Sequence, residues 1–433
     1  MLYSRSVSGA ATPEPPRRAV RMAVLAACVA CVAGCGGSDG QVGDVYCPGT
    51  YCVPCTTNCG PYEVSYGLVA GNFAGNGFTS VVQTSMVVNG SGPYPGSLKA
   101  SLGSGVGSFA APVLTADGYS PLYLASADLN GDHLPDLVSA SYDDGSLAVF
   151  FNNASSPGSF SAPLVLPSPG ASQVAIADMN GDGLPDLISA DFNVSLFLQS
   201  APGAFAAPIP LYPGGANWVA AGDLNNDGVA DVAVVDNYGV WMLLHTGAPT
   251  ATTYAAPLAV YTEAPNAWYV GANIVAIADV NGDGLKDLIV TDPGPVGGGM
   301  PTVAVLMQNP ASPGTFLAPV SYATASGSLG QSIAVVDVNG DGHPDIVIGG
   351  TNAVSVLLQN PAAPGTFMAA VSYSVTDANE IAVVDVNGDG LPDVVVATGP
   401  MQQAANGVVP NIAGVLLQSS TAPGTFGALQ ALP

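Results

Sequence analysis

Residues Gln173–Ala190 read QVAIADMNGDGLPDLISA. A run of small apolar residues leads into Asp178-x-Asn180-x-Asp182-Gly183, and Asp186 opens a second apolar run. Apolar runs on either side of a tight polar turn predict two buried strands, since side chains that are apolar on both faces imply packing on both faces. The turn carries oxygen-bearing side chains at positions one, three, five and nine. Hard cations favour such alternating oxygens in a tight loop.

The same unit recurs along the chain. Its opening aspartate is Asp128, Asp178, Asp223, Asp279, Asp337 or Asp385, and a worn copy opens at Asn72. Successive openings lie 56, 50, 45, 56, 58 and 48 residues apart. Ala125, Ala175, Ala220, Ala276, Ala334 and Ala382 stand three residues before the aspartate, with Val69 in the worn copy. Each unit then has another apolar run, often ending in Leu-Gln, and a Pro/Gly turn. An aromatic follows: Phe109, Phe160, Phe205, Tyr254, Phe316, Phe367 or Phe426.

A unit of about fifty residues with four short strands is a propeller blade. Seven in phase predict an all-β fold, a seven-bladed β-propeller of four-stranded antiparallel blades spanning residues 61–433. The third and fourth strands are expected as hairpins, for example Val354–Leu358 and Phe367–Tyr373 around a turn at Asn360–Gly365. Pro61–Gly67 is a candidate extra strand at the closure. An open solenoid or a sandwich array is the competing architecture, but solenoid rungs are usually shorter than these units.

The loops carry the chemistry. Calcium takes six to eight oxygens. The expected side-chain ligands are Asp128, Asn130, Asp132 and Asp136; Asp178, Asn180, Asp182 and Asp186; and Asp223, Asn225, Asp227 and Asp231. The later sets are Asp279, Asn281, Asp283 and Asp287; Asp337, Asn339, Asp341 and Asp345; and Asp385, Asn387, Asp389 and Asp393. A backbone carbonyl is expected from position seven, as at Leu134. Gly at position six permits a left-handed turn, and His133 replaces it once. An EF-hand is excluded, because position twelve is Ser139, Ser189, Val234, Val290, Ile348 or Val396 rather than Glu. A plain Asn-Gly hairpin turn is the simpler reading, but it needs no Asp at positions one and nine. The worn copy has Asn72, Ala74, Asn76 and Ser80, so six Ca²⁺ are expected and none there.

Charge agrees with this reading. The chain has 31 acidic and 6 basic residues, for a formal net charge of −25. Six loops with three Asp each hold 18 of those acids, and six divalent ions would bring the net charge to −13. Arg5, Arg17, Arg18 and Arg21 precede the repeats, leaving Lys99 and Lys286. A surface so poor in cations repels phosphate backbones, so nucleic acid is excluded as a partner. The 54 Gly and 37 Pro favour many short strands and turns over helix.

The N-terminus reads as an address. After a basic stretch, the apolar run Met22–Ala33 is too short to span a bilayer but suits a signal-peptide core. Val32-Ala33-Gly34-Cys35 resembles a bacterial lipobox. That resemblance implies a signal over 1–34, lipidation of Cys35, a Gly/Cys-rich tether over 35–60, and export to the cell envelope. An ordinary cleaved signal is the alternative. Cys47, Cys52, Cys55 and Cys59 form an even set, which in an oxidising compartment suggests two disulfides with pairing undetermined. Cys52-x-x-Cys55 also has zinc-ligand spacing.

Catalytic signals are sparse. His133 and His343 lie in loops, and His245 is expected at the surface. Trp218, Trp241, Trp268, Tyr238 and Tyr269 cluster in the fourth and fifth units, as blade packing or as a sugar-stacking platform.

The repeats resemble the FG-GAP or VCBS-type repeats of integrin α-subunit propellers and of many bacterial exported proteins, over about Tyr62 to Pro433. The resemblance implies a calcium-bound propeller acting as a surface binding, adhesion or scaffolding module for protein or glycan, with no catalytic residue assigned. A calcium-dependent lectin is the alternative. A polysaccharide-lyase-like enzyme would need a cluster of Lys, Arg or His in a cleft.

Overall fold

In the computed structural model each repeat forms one sheet, and consecutive sheets pack face to face around a ring. The structure describes residues 62–88, 94–247, 252–262, 274–292, 301–325, 330–398 and 413–432. The expected signal, tether, Cys35 and the four later cysteines lie outside the described residues, as do Trp268 and Tyr269.

Among the described residues there are seven blades, each with the antiparallel order first-second-third-fourth strand from the centre outward. The third blade is Gln173–Ala177, Asp186–Ala190, Ser195–Phe197 and Ile209–Pro210. The sixth is Gly330–Val336, Asp345–Gly350, Ala353–Leu357 and Val371–Ser374. The first strands neighbour one another in sequence order, and the first strand of blade seven, Ala378–Val384, lies against that of blade one, Leu68–Gly71.

Every blade is built from one contiguous stretch. The early strand Tyr62–Val64 pairs with Ser80–Val88 inside blade one, so among the described residues no strand is exchanged at the closure. The outer strands start later than expected. Phe367 makes only an isolated bridge with Gln359, and the fourth strand begins at Val371. The same bridge joins Asn152 to Phe160, Gln308 to Phe316 and Gln418 to Phe426. The aromatic thus closes the turn before the outer strand instead of starting that strand.

The core is a set of layers between blades. Along Asp231–Asp236, Val232 and Val234 pack toward blade three, whereas Ala233 and Val235 pack toward blade five. All four are fully buried. That explains the unbroken apolar run, since alternate side chains of a strand reach opposite faces. At the seam, Leu68 and Val81 of blade one share a layer with Val386 and Val395 of blade seven.

The oxygen-rich loops join first to second strands. The antiparallel order therefore places them on the same end of the ring as the turns between third and fourth strands. Turns between second and third strands, and the links between blades, fall on the opposite face.

Candidate functional site

The loop after the inner strand is wound by its own side chains. In Asp128–Asp136, Asp128 Oδ1 accepts from the Gly131 and Asp132 amides at 2.7 and 3.1 Å, and Oδ2 from the His133 amide at 2.8 Å. Asn130 Oδ1 accepts from the same Asp132 amide at 2.9 Å, and Asp132 Oδ1 from that of Leu134 at 2.9 Å. The side chains at positions one and three thus turn toward one amide, and the loop is not splayed. The bonds repeat in the next copy, where Asp178 accepts from Gly181 at 2.7 Å, Asp182 at 3.2 Å and Gly183 at 2.8 Å. Asp337 does so with Gly340, Asp341 and Gly342.

This winding needs two left-handed residues. Position six has φ of +84° to +87° at Gly183, Gly228, Gly284, Gly342 and Gly390, and +68° at His133. Position four is also left-handed, including Asn226 at +61° in place of Gly. Asn tolerates that region better than most residues.

Asp at position nine is the hub. Asp136 is fully buried, and so are Asp186, Asp231, Asp287, Asp345 and Asp393. Asp136 Oδ2 accepts from the Leu129 amide at 2.9 Å, and Oδ1 from that of Asn152 at 2.7 Å. Burial pushes the Asp136 carboxyl up to about 6, the two amides pull it back, and the carboxylates of Asp132 and Asp128 push it further up. Asp186, Asp231, Asp287 and Asp345 are raised to about 6 for the same reasons.

A residue seen in the sequence only as the end of an apolar run completes the loop. Gln359 Nε2 donates to the carbonyls of Pro344 at 2.7 Å and Val280 at 2.6 Å, while its Oε1 accepts from the Gly365 amide at 3.1 Å. It therefore ties its own loop, the loop of the preceding blade and its own outer turn. Gln199, Gln308 and Gln418 likewise donate to the carbonyls of Pro185, Lys286 and Pro392. The recurrent Leu-Gln ending was the available signal.

His245 occupies this place in blade four. The expectation of a surface residue is wrong: it is 4% exposed, its amide donates to Asp231 Oδ1 at 2.6 Å, and its ring packs edge-on to Tyr254. A side chain in the clamp position is enclosed by the turn it holds. Trp218 is buried in the layer shared with blade five, and its ring also meets edge-on that of Tyr123 in the non-adjacent blade two, whereas Tyr238 is 69% exposed.

Among the described residues, no three acidic, histidine or cysteine side chains are drawn together tightly enough to hold a metal ion. The donor set still suits a hard cation. Each loop's side-chain donor atoms for a cation are oxygens; Asp128 Oδ1 already accepts two amide bonds, but Asp128 Oδ2, Asn130 Oδ1 and Asp132 Oδ1 accept one each and keep a second lone pair. The His133 imidazole lies 3.7 Å from Asp128, and Lys286, beside Asp287, is the single Lys or Arg within the loop segments. In the first repeat, Asn72 Oδ1 accepts from the Asn76 and Gly77 amides at 3.0 and 3.1 Å, closing the turn with neutral groups.

Three solved structures illustrate the resemblance to known folds. The V. cholerae biofilm matrix protein Bap1 is 13% identical, with a TM-score of 0.42 over 84% of this chain and 88% of that one. A protein from Lactobacillus plantarum is 14% identical, with 0.47 over 85% and 96%. Rhamnogalacturonan lyase YesW is 11% identical, with 0.46 over 78% and 70%. No curated protein matches the sequence. The FG-GAP-like repeat matches residues 128–189, 178–234, 223–290, 279–348 and 337–396. Each match runs from one opening aspartate to position twelve of the next loop, and together they cover more than half of the 433 residues. With blades, loops and repeat in register, the chain belongs to the FG-GAP-like repeat family.

Proposed function

We propose that this propeller is a calcium-loaded binding or scaffolding module, exported and lipid-anchored, that recognises a protein or glycan through one face of the ring. The supporting observation is the repetition of one all-oxygen loop on a single end of six blades. Asp, Asn, Asp and Asp at positions one, three, five and nine, with the position-seven carbonyl, would hold each ion. Such ions stabilise the fold, because a ligand that binds only the folded chain shifts the equilibrium by mass action. The only lysines in the described residues are Lys99 and Lys286, and His133, His245 and His343 sit in separate blades, which favours binding over lyase-type chemistry.

A lectin is the second reading. Tyr119, Phe192 and Tyr238 are 44%, 37% and 69% exposed near turns of the face opposite the loops, where aromatic rings could stack on sugars. Native mass spectrometry and thermal melts with and without chelator test the metal: six ions and a lower melting temperature in chelator are expected. A calcium-dependent pull-down from envelope extracts, run beside a glycan array, separates protein from sugar ligands. Zero bound calcium with an unchanged melt would refute the loop reading.

A further inference from the structure

We infer that the ring opens at the seam between blades seven and one, and that the loop Asp385–Asp393 is its latch. This rests on the calcium reading above. At every other junction the chain itself runs from one blade into the next. At the seam it does not, and no strand is exchanged among the described residues.

The seam also lacks the amide clamp. Gly103 bridges to Phe109 as Gln199 does to Phe205, so Gly103 stands where the other blades carry Asn152, Gln199, His245, Gln308, Gln359 or Gln418. In two other blades the clamp reaches into the preceding blade, with Asn152 Nδ2 on the Phe73 carbonyl at 2.9 Å and Gln359 Nε2 on that of Val280 at 2.6 Å. Glycine has no side chain to do so, and a Cβ there would lie 2.4 Å from the Thr79 carbonyl oxygen. The looser fit shows at position two of the loops: Val386 is 8% exposed, whereas Leu129, Met179, Leu224, Val280 and Val338 are at most 1% exposed.

Two contacts across the seam land on the blade-seven loop. Thr79 Oγ1 donates to the Asp385 carbonyl at 2.8 Å, and the Val106 side chain rests against Gly388. Asn379 Nδ2 adds a bond to the Ser65 carbonyl at 3.0 Å. The blade-one loop needs no cation to keep its shape, because Asn72 and Asn76 close it. Asn76 Nδ2 also donates to the Gly103 carbonyl at 2.7 Å. Order on the ion-dependent side of the seam therefore depends on one loop.

The test is hydrogen–deuterium exchange on the full chain, with calcium counted by native mass spectrometry in the same samples. Asp389→Asn should speed exchange about tenfold in Leu68–Gly71 and Ala378–Val384 while blades three to five stay protected. Asp182→Asn, in blade three, should leave the seam protected. Thr79→Val keeps every loop ligand, so it should loosen the seam with the calcium count unchanged. Calcium bound in the expected number, with the seam as protected in Asp389→Asn and Thr79→Val as in the parent, overturns the latch alone. A parent chain that binds no calcium overturns the latch together with the loop reading.

Discussion

Gln359 reaches out of blade six to the backbone of blade five, its Nε2 lying 2.6 Å from the Val280 carbonyl oxygen. The side chain is fully buried, and its amide serves three backbone groups at once. Gln359→Ala strands all three away from water. An expected loss of about 3 kcal/mol follows from the penalty for unsatisfied buried groups, readable as a fall in the midpoint of urea unfolding.

Tyr254 presents the reverse case. It is the one tyrosine at a place where six blades have phenylalanine, and its hydroxyl is buried with no partner among the described residues. Burial raises its ionisation far above the ordinary range, with the carboxylates of Asp231 and Asp186 adding to the shift. Tyr254→Phe keeps the ring against His245 and removes the orphan group. Stability should rise by about 1 kcal/mol, and a lower melting temperature would contradict this account.

Asp117 makes stability depend on pH. It is 1% exposed and neither carboxylate oxygen has a hydrogen-bond partner among the described residues. Burial raises its carboxyl from 3.8 to about 7; the Ser139 hydroxyl beside it pulls down and the Asp144 carboxylate pushes up. The folded chain thus holds a proton that the unfolded chain releases. Its stability is undiminished below about pH 4 and falls as pH rises toward 7, by up to about 4 kcal/mol. In chelator, Asp117→Asn should melt higher than the parent at pH 8, and the gap should vanish near pH 4.

Gly390 tests the winding of the loop. Its φ is +84° and a Cβ there would meet nothing within 4 Å, so only backbone strain opposes a side chain. Gly390→Ala should cost about 1–2 kcal/mol, and Gly390→Asn less, as denaturant melts would show.

Much of the fold was legible because a repeat states its rule seven times. The loop openings and the aromatics gave the blade count, and the unbroken apolar second strands gave burial on both faces. His245 was misplaced because its role belongs to a position. Only alignment of blade four with the glutamines of its neighbours reveals an interior clamp. The outer strands were drawn too long at Phe367, since the aromatic closes a turn by one bridge and Val371 resumes the ladder. Position four of the loops was overlooked, although Gly131 and Gly181 recur there as regularly as the position-six glycines. At the closure the sequence offered only an extra strand within Pro61–Gly67, found at Tyr62–Val64, because Gly103 and Val386 mark the seam only when their neighbours are known.

The uninterrupted course of each blade has a consequence for ancestry. A propeller sealed by swapped strands cannot gain or lose a unit without orphaning one. Here, cutting from Asp178 through Gly222 would fuse the inner strand of blade three to the remainder of blade four and leave every ladder whole. Such a gene can lengthen or shorten by in-frame copying, and the uneven intervals of 45 to 58 residues are then the drift of once-identical copies.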